Sequence, residues 1–116
     1  MNRIALILAC ATLAGLSAPA LADKGGSCHF HGAMPAKEET VITCAAQRKD
    51  TLAASGKIDA SWKAVRHEKL EQVEGKKGKE WKVTFRNPQA PEKDKQTLYV
   101  FLSLPGNVLA ANFTGQ

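Results

Sequence analysis

Apolar and polar side chains alternate most clearly in the last third of the chain. Within residues 80–86, aromatic and branched side chains occupy every second position, a period of two that is typical of a half-buried strand. Two further apolar runs, at residues 98–102 and 108–113, lie on either side of Pro105-Gly106-Asn107. Because proline and glycine favour turns, this arrangement predicts a C-terminal β-hairpin packed beside the first strand.

The turn also predicts which hairpin residues share a face. A two-residue loop centred on either Pro105-Gly106 or Gly106-Asn107 pairs positions whose numbers sum to an odd value, and a slip of one residue would invert the faces. The predicted core face then contains Leu98, Val100, Leu102, Leu109, Ala111 and Phe113. The opposite face contains Tyr99, Phe101, Val108 and Ala110.

The apolar character of this opposite face has two interpretations. It is a surface for an unknown protein partner or a weak homodimer, because exposed apolar patches mark interaction sites. Alternatively, Trp62 and the loop around it cover the face.

A helix is predicted over residues 36–55. Pro35 suits a helix start, and Gly56 suits a helix end. The predicted apolar stripe contains Val41, Cys44, Ala45, Arg48 and Leu52, whereas Gln47, Lys49 and Asp50 lie largely away from its centre. We expect Val41, Ala45 and Leu52 to pack onto the sheet.

The segment between the helix and the first clear strand predicts two smaller elements. Asp59 is placed to cap a short turn that inserts Trp62 into the core. The latter half of residues 65–74 reads as a weak edge strand whose charges discourage edge pairing, and residues 75–78 turn the chain. The predicted fold is therefore α+β, with one N-terminal helix packed on a four-stranded antiparallel meander within a single domain, residues 36–116.

The N-terminus is typical of a signal peptide over residues 1–22. Arg3 provides a positive start, residues 4–16 are largely apolar, and Ala20-Leu21-Ala22 provides a cleavage pattern. The apolar run is too short to span a membrane. A lipoprotein site at Cys10 is a weaker alternative, because few apolar residues precede that cysteine. We expect a periplasmic or secreted protein that is cleaved near Ala22 and has no membrane span.

Charge and motifs narrow the expected function. The formal net charge is +5, yet no basic stripe with interleaved aromatics occurs, so a nucleic-acid partner is not expected. No phosphate-binding loop, nucleophile elbow or motif with paired carboxylates is present. A Cys-His nucleophile, formed by Cys28 or Cys44 with an arm histidine or with His67, lacks a signature context. We therefore expect a protein that is not an enzyme.

Residues 23–35 form a predicted arm that carries the only group of side chains with metal-ligand character. With the helix, it supplies Cys28, His29, His31, Met34 and Cys44. Thiolate, thioether and imidazole ligands suit Cu or Zn. Alternatively, Cys28 and Cys44 form a disulfide, as an even pair of cysteines does in an oxidising compartment. In that case only the histidines, with Met34, remain as ligands of a weak metal site.

Four segments, residues 56–62, 80–85, 95–104 and 110–115, resemble a family of small exported bacterial proteins of unknown function. Members of that family often begin with a His-rich arm such as His-Gly-His-Ser-His, and residues 28–32 here read Cys-His-Phe-His-Gly. The outline of one helix on a meander is also similar to the PepSY and cystatin-like modules.

These features favour two functions. The first is a periplasmic accessory or binding protein whose N-terminal arm engages a soft metal ion, Cu or Zn. The second is a protein-interaction module that uses the outer face of the C-terminal hairpin, with a structural Cys28–Cys44 disulfide and no metal.

Overall fold

The computed structural model describes residues 28–116; the predicted signal peptide and Cys10 lie outside these residues. The regular elements are α1 (Glu38–Ala54), a 3-10 helix (Ala60–Ala64), β1 (His67–Gly75), β2 (Gly78–Arg86), a short 3-10 helix (Lys93–Lys95), β3 (Thr97–Ser103) and β4 (Val108–Asn112). The four strands pair antiparallel in the order β1-β2-β3-β4. The prediction of an α+β fold with one helix on a four-stranded meander is confirmed. Within residues 28–116, no helix has the length and apolar character needed to cross a membrane.

Local sequence signals account for both ends of α1. Glu38 and Glu39 lie in its first turn, where carboxylates interact favourably with the helix dipole. At the other end, Gly56 adopts a φ of 80°, which lets the chain reverse. The Lys57 N–H then donates to the carbonyl of Leu52 at 2.9 Å and closes the last turn. Compared with the predicted helix over residues 36–55, α1 is two residues shorter at its start and one residue shorter at its end.

The core lies between α1 and one face of the sheet. Alternate residues of β2 and β3 point towards the helix and are buried: Trp81, Val83, Phe85, Leu98, Val100 and Leu102. Trp62 joins them from the 3-10 helix, whose first turn is capped by the Asp59 carboxylate. The predicted core face of these strands and the inserted Trp62 are confirmed.

The predicted stripe of α1 was wrong at three positions. Lys49, which we assigned away from the stripe, is only 2% exposed, whereas Arg48 is exposed and Leu52 is half-buried. Position 49 lies one helical turn after the buried Ala45, so its side chain points at the core. Backbone carbonyls of the 3-10 helix meet the ammonium group there, which makes burial of this charge possible.

The predicted hairpin register was right for one half of the hairpin and wrong for the other. Val100 pairs with Ala111 as expected, but a β-bulge follows and Leu102 pairs with Val108. Leu109 is the extra residue: residues 110–112 keep the predicted register, whereas the side chains between the bulge and the turn are shifted by one position. Leu109 therefore leaves the predicted core face and is 53% exposed, whereas Val108 packs against the core.

Candidate functional site

A disulfide joins the N-terminal segment to α1. Cys28 and Cys44 are bonded, with their Cα atoms 5.6 Å apart, which confirms the predicted bridge. Cys44 is 2% exposed, so this anchor lies within the core. Because both sulfurs are engaged, neither cysteine is available as a thiolate ligand or nucleophile in this state.

Asn107 forms a second anchor for the same segment. Its Oδ1 accepts a 2.7 Å hydrogen bond from the Phe30 N–H, and its Nδ2 donates to the Phe30 carbonyl at 2.9 Å. The Phe30 ring also packs on Gly106, where a Cβ would lie 3.1 Å from a ring carbon. The Ala36 N–H adds a third attachment by donating to the Leu104 carbonyl at 2.8 Å. Residues 28–36 are therefore fastened to the β3–β4 loop.

Sequence reasoning missed the Asn107 clamp. It treated Asn107 only as a turn residue, and its partner Phe30 lies 77 residues away in the chain. A side-chain amide carries a donor group and an acceptor group, so it can accept from the N–H and donate to the C=O of one residue's backbone. The usable signal was an Asn beside a turn Gly, and that signal does not identify a partner.

The two histidines lie on either side of the anchored Phe30. Both are exposed, and their ring centroids are 5.2 Å apart. Two imidazoles on one tetrahedral Zn, with Zn–N bonds of about 2.0 Å, would have centroids separated by roughly 5 Å. The centroid spacing of His29 and His31 therefore matches that of two imidazoles on one metal ion, and the two rings lie edge to face with 84° between their planes.

The remaining predicted ligands contribute less to this pair. Met34 is 82% exposed, and the two cysteines are bonded to each other. In the part of the chain that the structure describes, no group of three or more His, Cys, Asp or Glu residues is arranged to hold a metal ion. His67 is the exposed first residue of the edge strand β1. The candidate metal site of residues 28–116 thus has two imidazole ligands.

The outer face of the sheet, opposite α1, is the second candidate site. Lys82 Nζ lies 4.8 Å from the centroid of the Tyr99 ring and 5.8 Å from that of Phe101, within the range of cation–π attraction. Gly115 also approaches the Tyr99 ring, where a Cβ would lie 3.3 Å from a ring carbon. Both aromatic rings are consequently half-buried.

Two of the predicted features of this face need correction. Val108 does not belong to it, because the bulge turns that side chain to the core. Trp62 does not cover it either, since Trp62 is buried in the core with its ring centroid 6.1 Å from that of Phe113. The face retains Tyr99, Phe101 and Ala110, beside a shallow basin of about 720 Å³ that Phe101 and Ala110 help to line.

Comparison of the chain with curated proteins and with solved structures finds no match. A family model does match, and its description is "Family of unknown function (DUF6488)". Since that match covers residues 1–116, the chain belongs to the DUF6488 family of unknown function.

Proposed function

We propose that this chain is an exported, non-enzymatic binding protein whose bridged N-terminal segment presents His29 and His31 to a Cu or Zn ion. The observation that carries the proposal is the 5.2 Å spacing of the two imidazole rings on a segment that is fastened at both sides. Imidazole is a common ligand for both metals.

The anchors support this function because they reduce the ordering cost of binding. A flexible arm would lose conformational entropy when two side chains converge on one ion. Here the disulfide holds residue 28, and Asn107 holds residue 30, so the backbone between the ligands is already placed. The disulfide itself supports export, since structural disulfides persist in oxidising compartments.

Two protein ligands leave the other coordination positions to water or to a donor from another molecule. A closed structural zinc site has four protein ligands, whereas an open site exchanges its metal more readily. We therefore assign the pair to metal carriage or transfer, and we expect protons to compete with the metal for the imidazole nitrogens.

The test is a titration of the oxidised protein with Cu(II) and Zn(II), in which binding is measured by calorimetry and by NMR of the histidine rings. We expect saturable binding at one ion per chain, with loss of binding in the double variant H29A/H31A. His67→Ala is the matched control, because His67 is an exposed histidine on β1, and it should bind like the parent. Absence of saturable binding, or equal binding by H29A/H31A, would reject this function.

Protein interaction through the outer face is the second candidate. It is favoured by the two half-buried aromatic rings that Lys82 overlies, because aromatic residues are enriched in interfaces. The occupant we consider is a second copy of the chain. Sedimentation over a range of concentrations should then show a dimer that Phe101→Glu abolishes, whereas a monomer at all concentrations would exclude it.

A further inference from the structure

The two edges of the sheet differ in charge. β1 and β4 are the edge strands. β1 has the sequence His-Glu-Lys-Leu-Glu-Gln-Val-Glu-Gly, and charges of this kind protect an edge from pairing with another chain. β4 has the sequence Val-Leu-Ala-Ala-Asn, without a charge or a proline. Protection by charge is therefore present at the β1 edge and absent at the β4 edge, where the shortness of the strand and its bulge limit pairing instead.

A groove separates the β4 edge from α1. Two adjoining cavities of about 490 and 170 Å³ share Arg48 and Val108 in their linings, and we call them together the edge groove. The larger cavity extends to Cys28 and His29, and the smaller one extends along residues 109–111. The space beside the strand is thus open to an additional segment of chain.

The backbone of β4 has pairing capacity left. Among residues 28–116, no hydrogen bond outside the sheet uses a backbone group of residues 108–112. In an antiparallel edge strand, alternate residues direct their N–H and C=O groups away from the sheet. The bulge interrupts the ladder beside Leu102, so regular pairing on β4 covers residues 110–112 and any added strand is short.

Arg48 indicates the charge of the occupant. It is exposed, it lines both cavities, and no carboxylate among residues 28–116 lies within ion-pair distance of it. A second copy is a poor occupant. Antiparallel pairing of two β4 strands about a two-fold axis would place Arg48 of each copy beside the same shared edge, where like charges repel.

We propose that the edge groove binds an extended acidic segment of a partner protein as a fifth strand on β4, with Arg48 contacting its carboxylate. Strand addition of this kind obtains affinity from main-chain hydrogen bonds and selectivity from side-chain contacts beside the edge. The proposal needs no metal ion at His29 and His31, and His29 enters it only as a residue that lines the larger cavity.

The probe is an acetylated hexapeptide whose first four residues alternate Thr and Val and whose last two residues are Asp. Its matched control has Lys at the last two positions. NMR titration up to millimolar concentrations should shift the amide signals of residues 108–112 with the acidic peptide and much less with the basic one. Arg48→Glu should weaken the acidic peptide roughly fivefold or more, the effect of about 1 kcal/mol. Arg66→Glu, which changes an exposed arginine just before β1, should leave its affinity unchanged.

Two N-methylated versions of the acidic peptide test the backbone pairing in the parent protein. Methylation of alternate amides blocks one edge of the peptide in one version and the opposite edge in the other. We expect one version to bind like the parent peptide and the other to lose roughly tenfold or more in affinity, because its hydrogen bonds are removed.

Three results would overturn the proposal. They are no shift of residues 108–112 at millimolar peptide, equal binding of the two N-methylated versions, and protection of the β4 amides by self-association without peptide. His31→Ala should weaken metal binding and leave peptide binding intact, because His31 lines neither cavity of the edge groove, and this separates the proposal from the metal site.

Discussion

Lys49 Nζ donates a 2.7 Å hydrogen bond to the backbone carbonyl of Trp62. A further bond of 3.3 Å reaches the carbonyl of Lys63, and Asp50 Oδ1 lies 2.7 Å away. The ammonium group is thus paired with oxygen atoms although the side chain is only 2% exposed. This contact ties α1 to the 3-10 helix that carries the buried Trp62 ring.

Lys49→Ala should lower the free energy of unfolding by about 2–4 kcal/mol, since it leaves a cavity and removes the donor to two carbonyls. Chemical denaturation monitored by Trp fluorescence measures the change. Lys63→Ala serves as the control, because Lys63 is exposed and its carbonyl is retained, and it should change stability by less than about 0.5 kcal/mol. A parent-like Lys49→Ala protein would contradict the role we assign to this contact.

Removal of the disulfide should destabilise the domain. The bridge closes a sequence separation of 16 residues, for which restriction of the unfolded chain contributes about 3 kcal/mol. The double variant C28A/C44A should therefore lose about that amount in denaturant titrations. Reducing agent should lower the stability of the parent and leave that of C28A/C44A unchanged. An equal effect on both proteins would mean that the disulfide is not the cause of the loss in stability.

Asn107→Ala should release the N-terminal segment without unfolding the sheet. The variant loses both hydrogen bonds to Phe30, and the free energy of unfolding should fall by about 1–3 kcal/mol. Hydrogen exchange at the Phe30 amide should accelerate. Asn112→Ala is the matched control, because Asn112 accepts from the Thr114 and Gly115 amides near the C-terminus. It should accelerate exchange there and leave Phe30 unaffected.

The β-bulge can be tested by placing a charge at two positions that the sequence assigned to the core face of the hairpin. Val100→Asp should unfold the domain, because Val100 is 0% exposed and the carboxylate would have no partner there. Leu109→Asp should be tolerated, with a loss below about 1 kcal/mol, since Leu109 is 53% exposed. Circular dichroism and thermal melting distinguish the two. Unfolding by Leu109→Asp would contradict the bulge and would support the regular hairpin register instead.

Asp59 should make the stability of the first 3-10 turn depend on pH. Hydrogen bonds from the Ser61 hydroxyl and then from the Ser61 N–H hold the pKa of the Asp59 carboxyl below its ordinary value of 3.8. A pKa that is lower in the folded state means that the contribution is fully present above pH 3.8 and is lost as the pH falls through the shifted pKa.

The difference in stability between the parent and Asp59→Ala should therefore be constant near neutral pH and should shrink in acid. NMR titration of the Asp59 carboxyl carbon measures the pKa directly. Ser61→Ala removes the hydroxyl donor and should raise that pKa towards its ordinary value, whereas an unchanged pKa would exclude this hydrogen bond as the main cause.

The local elements could be predicted from the sequence because each has a short-range signal. A period of two identified β2, since successive side chains of a strand point to opposite faces, and an apolar run beside the Pro105-Gly106-Asn107 turn identified β3. Gly56 marked the end of α1, and Asp59 marked the start of the 3-10 helix. Counting cysteines outside the predicted signal peptide was enough to propose the Cys28–Cys44 bridge.

Only the tertiary structure decided which exceptions to those patterns occur. From sequence alone a lysine is expected to face solvent. Lys49 is buried because the Trp62 carbonyl, 13 residues away, accepts a hydrogen bond from its ammonium group. The bulge in β4 depends on how the loop from Ser103 to Asn107 closes, and the alternation of apolar residues carries no record of one extra residue. Two further contacts also join residues that are far apart in the chain. The clamp links Phe30 with Asn107, and Arg48 of α1 lies beside β4. Periodicity describes each segment's own faces, whereas these contacts depend on which other segment packs against them.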